Sequence, residues 1–155
     1  MNRSRPPGTV VPVLIYEDVG AALDWLCETF GFTERLRAGQ PGGRVEHGQL
    51  AVGDGSVILG AVRRGQSLDR ADHAEFRPPD PAEVTHYVNV HAEDVDLHHE
   101  RAVRQGARIL HPPTDYPFGE RQYTAEDLAG HRWTFSQSIA DVVPESWGAE
   151  RPISG

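Results

Sequence analysis

The sequence predicts an α+β fold: two β-α-β-β-β modules related by a pseudo-twofold, each a concave sheet with its helix outside. Three observations predict it. Asp18-Val19 recurs as Asp94-Val95, and Gly31 and Gly55 recur as Gly106 and Gly130, so independent landmarks share a period of roughly 75 residues. Each Asp-Val pair follows an apolar-alternating run and opens an amphipathic helical pattern that a glycine closes. Three further strand-like runs follow each helix. Only two copies fit, so the repeat describes one domain whose shared cavity lies where the halves meet.

The elements follow in order. Residues 1–8 are Pro- and Arg-rich and read as a frayed arm. Val10–Glu17 alternates as a strand, with Pro12 tolerated only at an edge. Asp18 suits an N-cap, and Ala22, Leu23, Leu26, Cys27 and Phe30 repeat at helical spacing up to Gly31. Thr33–Ala38, Val45–Val52 and Ser56–Val62 are the next strands, separated by the Gln40–Gly43 and Gly53–Gly55 turns. The aperiodic stretch that follows is a connection between modules. Val84–Ala92 is the fifth strand and Asp94–Gln105 the second helix. Arg108–His111, Arg121–Thr124 and Arg132–Ser138 complete the second module. Ala140–Gly155 is a tail that can pack back through Trp147. The organisation is a single domain over 1–155, with module one at 9–64, a connecting loop at 65–81, module two at 82–139 and the tail at 140–155.

Composition narrows the classes of function. With 155 residues, 38% hydrophobic and 25% charged, the chain is an ordinary globular length and mixture. The net charge of −8, with no dense arginine cluster, argues against a nucleic-acid partner. No apolar run approaches the ~18 residues of a membrane span, and no signal peptide is visible. Cys27, the only cysteine, falls on the apolar face of the first helix as a structural thiol. These features fit a reducing cytoplasm and a chain with neither nucleic-acid nor membrane partners.

Three segments carry a resemblance to a known family: Pro12–Asp18 running into Ala22–Phe32, Val95–Ala107, and Glu126–Trp133. They resemble the vicinal oxygen chelate superfamily, which holds glyoxalase I, bleomycin-resistance proteins and extradiol dioxygenases. Gly130-His131-Arg132-Trp133, followed by Ala140–Glu145, is similar to the subgroup often labelled PhnB-like. The resemblance implies the paired-module fold and a homodimer. In the metal-dependent members it implies two ligands per module, from the first and last strands. Carried onto this sequence, those positions fall at Val11 or Pro12, within Val57–Gly60, at His86 or Tyr87, and at Thr134 where the metalloenzymes have Glu. No Asp or Glu occurs from Gly55 to Leu68. The expectation is therefore no metal and no cofactor.

Strand parity supplies the candidate ligand-binding residues. If Val88, Val90 and Ala92 pack on the helix side, then Tyr87, Asn89 and His91 face the cleft. Val13 and Ile15 do so from the first strand, with Val11 before them, and Arg132, Thr134 and Ser136 from the last. His47 lies in a strand whose alternation is irregular around Gly48. Arg121 and Tyr123 share a parity after the Gly119 turn, and both can reach the cleft: Arg121 for an anion, Tyr123 for stacking. His98 reads as solvated beside Asp94. No nucleophile elbow or phosphate loop is present. Two function classes remain. One is a small-molecule-binding homodimer with a half-apolar, half-polar cleft. The other is an enzyme, either a divalent-metal-dependent lyase or dioxygenase of the same superfamily or a metal-free catalyst using His91 or His47 as base. A bare oligomerisation module is the residual reading.

Overall fold

The computed structural model describes residues 1–62 and 76–153. Its elements run β1 (Val13–Tyr16), α1 (Val19–Phe30), β2 (Thr33–Gly39), β3 (Val45–Val52), β4 (Gly55–Ala61), β5 (Val88–His91), α2 (Val95–Arg104), β6 (Arg108–Tyr116), β7 (Glu120–Glu126) and β8 (Arg132–Ser138). A short 3-10 turn, Pro144–Trp147, follows. Two four-stranded mixed sheets form, ordered β1-β4-β3-β2 and β5-β8-β7-β6. In each, the strand before the helix pairs in parallel with the last strand of its module, and the remaining pairs are antiparallel. The two-module α+β architecture is thus the one the repeat predicts. No helix among the described residues is long and apolar enough to cross a membrane.

The repeated landmarks have the local roles their chemistry dictates. The Asp18 carboxylate accepts from the Ala21 N–H at 2.9 Å, and the Asp94 carboxylate from Leu97 N–H at 3.0 Å, so each caps its helix. Gly31 ends α1 in the left-handed region at φ 75°, where a side chain would be strained. Gly48 on β3 faces α1 so closely that a Cβ there would stand 2.7 Å from Leu23 Cδ1.

Several boundaries differ from expectation. The first strand spans four residues rather than Val10–Glu17: the Pro12 carbonyl accepts from Ile58 N–H, but proline has no N–H with which to extend the ladder. The fifth strand begins at Val88, and Val84–Tyr87 is not strand. The sixth continues past His111 to Tyr116, through Pro112-Pro113, because β6 is an edge strand with register shifts at that point. The seventh runs from Glu120 to Glu126 rather than Arg121 to Thr124. The irregular parity of β3 is a bulge: Gly39 pairs with Val45 and Ala38 with His47, leaving Glu46 unpaired. Of the expected connecting loop 65–81, residues 65–75 lie outside the described residues.

One core serves both modules, and it forms on the helix-bearing faces of the two sheets. Leu14, Tyr16, Leu50, Val57 and Leu59 of the first sheet are buried with Val19, Leu23, Leu26 and Phe30 of α1. Tyr123, Ala125, Trp133 and Phe135 of the second sheet join the same cluster with Val95 and Ala102 of α2. Phe30 bridges the halves, its ring centroid 4.8 Å from Phe135 and 5.8 Å from Trp133, while Phe32 lies 5.3 Å from Trp133. The helix-free face of each sheet, called the open face below, takes no part in this junction. Cys27 is half-buried, and burial raises its thiol pKa.

Candidate functional site

Strand register decides what the open faces present. In the first module Val13 stands opposite Ile58 and Ile15 opposite Gly60. In the second, the equivalent pairs are Asn89 with Thr134 and His91 with Ser136. The same inter-strand positions are therefore apolar in one module and polar in the other. Val13 is 55% exposed, and Ile15 and Ile58 are half-buried. On the second sheet Ser136 donates through Oγ to Asn89 Oδ1, Thr124 and Thr134 share a 2.8 Å hydroxyl bond, and Gln122 Nε2 donates to Glu120 Oε2 at 2.7 Å. Tyr116, on the same face, stacks on Phe118 at 5.3 Å, and Trp147 from the tail rests edge-on against Phe118.

A small polar cluster interrupts the apolar open face. His47 and Gln49 on β3 point away from α1, and the β2 register shift between Glu34 and Leu36 brings Arg35 to the same side. Arg35 donates to Gln49 Oε1, and Gln49 Nε2 lies 3.2 Å from His47 Nε2. Gln49 Nε2 also donates to the Ser4 carbonyl at 2.9 Å. The 1–8 segment is therefore tied to this face rather than frayed.

Between the modules lies a groove of about 440 Å³, lined among others by Phe30, Phe32, His91, Asp94, His98 and Arg101. Two of these polar groups are already engaged in holding the modules together. Arg101 donates to the Glu28 and Cys27 carbonyls at the end of α1. His98 Nε2 lies 2.8 Å from the Phe30 carbonyl, which can only accept, so Nε2 carries the proton and Nδ1 accepts from the Tyr123 hydroxyl. His98 is half-buried here, not solvated beside Asp94. Its signal was legible in hindsight: Val95, His98 and Ala102 share one helical face.

Burial, helped by the Arg101 charge, holds the His98 imidazole below its ordinary pKa, against the opposing effect of the Phe30 bond. The folded state thus prefers neutral His98, and the unfolded chain binds a proton first as pH falls. Stability should be full above ~6.5, the ordinary His value, and should drop as pH descends from there toward the lower folded value. Urea midpoints at neutral and mildly acid pH check this. The decrease should be smaller in His98→Phe than in the parent, and equal slopes in both would refute it.

The expected ligand-binding residues divide into two groups. Val13, Ile15, His47, Asn89 and His91 lie on the open-face side of their strands, and His91 at the end of β5 also lines the groove between the modules. Tyr87 precedes β5 and is exposed. Arg121 and Tyr123 point the other way, and their expected reach into the cleft is corrected. Tyr123 is fully buried against Phe135, and burial raises its hydroxyl pKa. Arg121 pairs with Asp96 of α2 and with Asp115, both at 2.9 Å. Their shared parity is real, but it is the helix-side parity. Arg35 and Gln49 were not foreseen, because a bulge and a distant backbone carbonyl bring them together.

The residues do not fit a catalytic divalent ion. At the positions the family resemblance assigns to metal ligands, Val11, Pro12 and Val57–Gly60 carry no donor side chains and the Thr134 hydroxyl is held by Thr124, which leaves only His86 or Tyr87. No three His, Cys, Asp or Glu side chains among the described residues gather closely enough to hold an ion.

Comparison with known proteins places this geometry. Residues 9–135 match the family described as the Glyoxalase/Bleomycin resistance protein/Dioxygenase superfamily. The chain is similar to the crystal structure of TioX from Micromonospora sp. ML1, with 33% identity, a TM-score of 0.68 and coverage of 85% of this chain and 99% of that one. A glyoxalase/bleomycin resistance protein/dioxygenase family enzyme from Burkholderia phytofirmans PsJN shares the fold at 15% identity and a TM-score of 0.63, covering 83% of this chain and 97% of its own. An uncharacterized protein of Mycobacterium bovis is 24% identical over 131 residues, 84% of each chain.

Proposed function

The chain belongs to the glyoxalase/bleomycin resistance protein/dioxygenase superfamily, and from that premise we propose that it is a metal-free protein binding a small organic molecule on its open sheet faces. One observation carries the reading: the equivalent pairs Val13/Ile58 and Asn89/Thr134, apolar in one module and polar in the other. An amphipathic ligand with an aromatic or aliphatic body and a few polar atoms matches such a surface. The lack of side-chain donors at Val11, Pro12 and Val57–Gly60 supports the metal-free part, since a Lewis-acid reaction needs a rigid set of ligands with an open position.

The proposal includes a homodimer. The core joins the two modules through their helix-bearing faces, and the open faces are left for something else to cover. A second copy that sets the apolar face of one chain opposite the polar face of the other makes two mixed clefts. Light scattering at micromolar concentration should give twice the 17.1 kDa chain mass. A monomer would remove the dimer and its mixed clefts, and leave a ligand only the separate open face of each module.

Thermal shift with and without divalent metal tests the function. A panel of cationic antibiotics, aromatic metabolites and α-oxo compounds should contain stabilisers that act without metal. A ligand at ~100 times its dissociation constant adds ~2.7 kcal/mol. Stabilisation by metal alone, with turnover of a hemithioacetal or catechol, would replace this reading with the metal-dependent lyase or dioxygenase.

A further inference from the structure

Gln49 stands on the open face of β3, opposite Ile58, yet is only 4% exposed. The 1–8 segment helps to cover it. Asn2 shapes that segment into a turn, its Oδ1 accepting from Ser4 N–H at 3.0 Å and its carbonyl from Arg5 N–H at 3.2 Å. The Ser4 carbonyl then accepts from Gln49 Nε2 at 2.9 Å, 45 residues away in sequence. Arg35 holds the other end of the Gln49 amide, so the donor is oriented before anything binds it. Nearby on the same face lie Val13, Ile15 and Ile58. A lone carbonyl oxygen on a fixed, buried amide donor beside apolar side chains has the form of a ligand headgroup contact. Exchanging that carbonyl for another conserves the hydrogen bond, so displacement costs only the weak hold of a short segment.

Building on the small-molecule reading above, we propose that Arg35, Gln49 and His47 form a carbonyl-recognising subsite of the first module. Its ligand is an apolar molecule bearing a ketone, amide or ester oxygen. The 1–8 segment keeps the subsite closed by placing the Ser4 carbonyl where the ligand oxygen goes. Gln49 Nε2 donates to that oxygen, Arg35 fixes the amide, and Val13, Ile15 and Ile58 take the apolar body.

Two probes that differ by one carbonyl oxygen, acetylnaphthalene and ethylnaphthalene, test the subsite by fluorescence titration. A chain lacking residues 1–8 should bind acetylnaphthalene about tenfold more tightly than the full chain, the gain of one buried hydrogen bond no longer competed for. Gln49→Leu should abolish that gain for acetylnaphthalene. An equal gain for both probes, or a gain that survives Gln49→Leu, overturns the subsite while leaving the broader ligand-binding reading to its own thermal-shift panel. Failure of the shortened chain to bind acetylnaphthalene overturns it too. Nuclear magnetic resonance on the full chain covers the case where the shortened chain misfolds. The Gln49 side-chain amide and the Ser4 and Arg5 backbone amides should shift together with acetylnaphthalene, and no shift at Gln49 refutes the proposal.

Discussion

Replacing Asp127 with Ala should lower the unfolding free energy by about 4 kcal/mol, because this carboxylate ties the two modules together. Oδ2 accepts from the Tyr16 hydroxyl at 2.6 Å and from Trp133 Nε1 at 3.0 Å, and Oδ1 accepts from the Ala129 and His131 N–H groups at 3.0 Å each. Tyr16 belongs to the first module, and the other three partners to the second. Tyr16 and Trp133 are fully buried. Each buried donor left unpaired costs ~1–3 kcal/mol, and the two backbone donors of the turn add to that. Burial and the adjacent carboxylate hold the Tyr16 pKa well above its ordinary value, so the hydroxyl remains a donor. Tyr16→Phe removes donor and demand together and should cost only ~1 kcal/mol. Urea unfolding of the two single variants and the double variant measures the coupling. A loss under ~1 kcal/mol in Asp127→Ala would show that water replaces the carboxylate and that the junction is held elsewhere.

Phe30→Ala should cost about 3–5 kcal/mol, the range for truncating a buried aromatic side chain. Its ring contacts Trp25, Phe32, His98, Trp133 and Phe135, drawn from both modules, so the cavity opens at their junction. Neighbours fixed in two separate sheets collapse poorly into such a space. Phe30→Leu, which keeps most of the volume, should recover much of the loss. Unfolding should stay a single transition with a lowered midpoint. If Phe30→Ala unfolds within ~1 kcal/mol of the parent, the modules are stable separately and the shared core is not what joins them.

The repeat made the fold legible because both copies obey the same local chemistry. Asp18 and Asp94 cap helices, Gly31 and Gly106 follow their ends in the left-handed region, and the strands after them alternate. The candidate site was legible only in part. Parity correctly placed Val13, Ile15 and Asn89 on the open faces, since alternation within a regular strand leaves only two choices. It could not say which face the pair Arg121 and Tyr123 takes. Tyr123 serves as core wall as readily as ligand platform, and only its contact with Phe135 and His98 decides between them.

The sequence by itself determined the two-module α+β architecture and the order of its strands and helices. These depend on near-neighbour effects: periodicity, capping and turn chemistry. The tertiary structure alone decided that the modules join through their helix-bearing faces, that Asp127 gathers Tyr16 and Trp133, that His98 becomes a neutral partner of Phe30 and Tyr123, and that Ser4 closes on Gln49. The Asp127–Tyr16, His98–Phe30 and Ser4–Gln49 contacts link residues 111, 68 and 45 positions apart. No local pattern encodes them, because burial and hydrogen-bond satisfaction at such separations are set by how two whole modules pack.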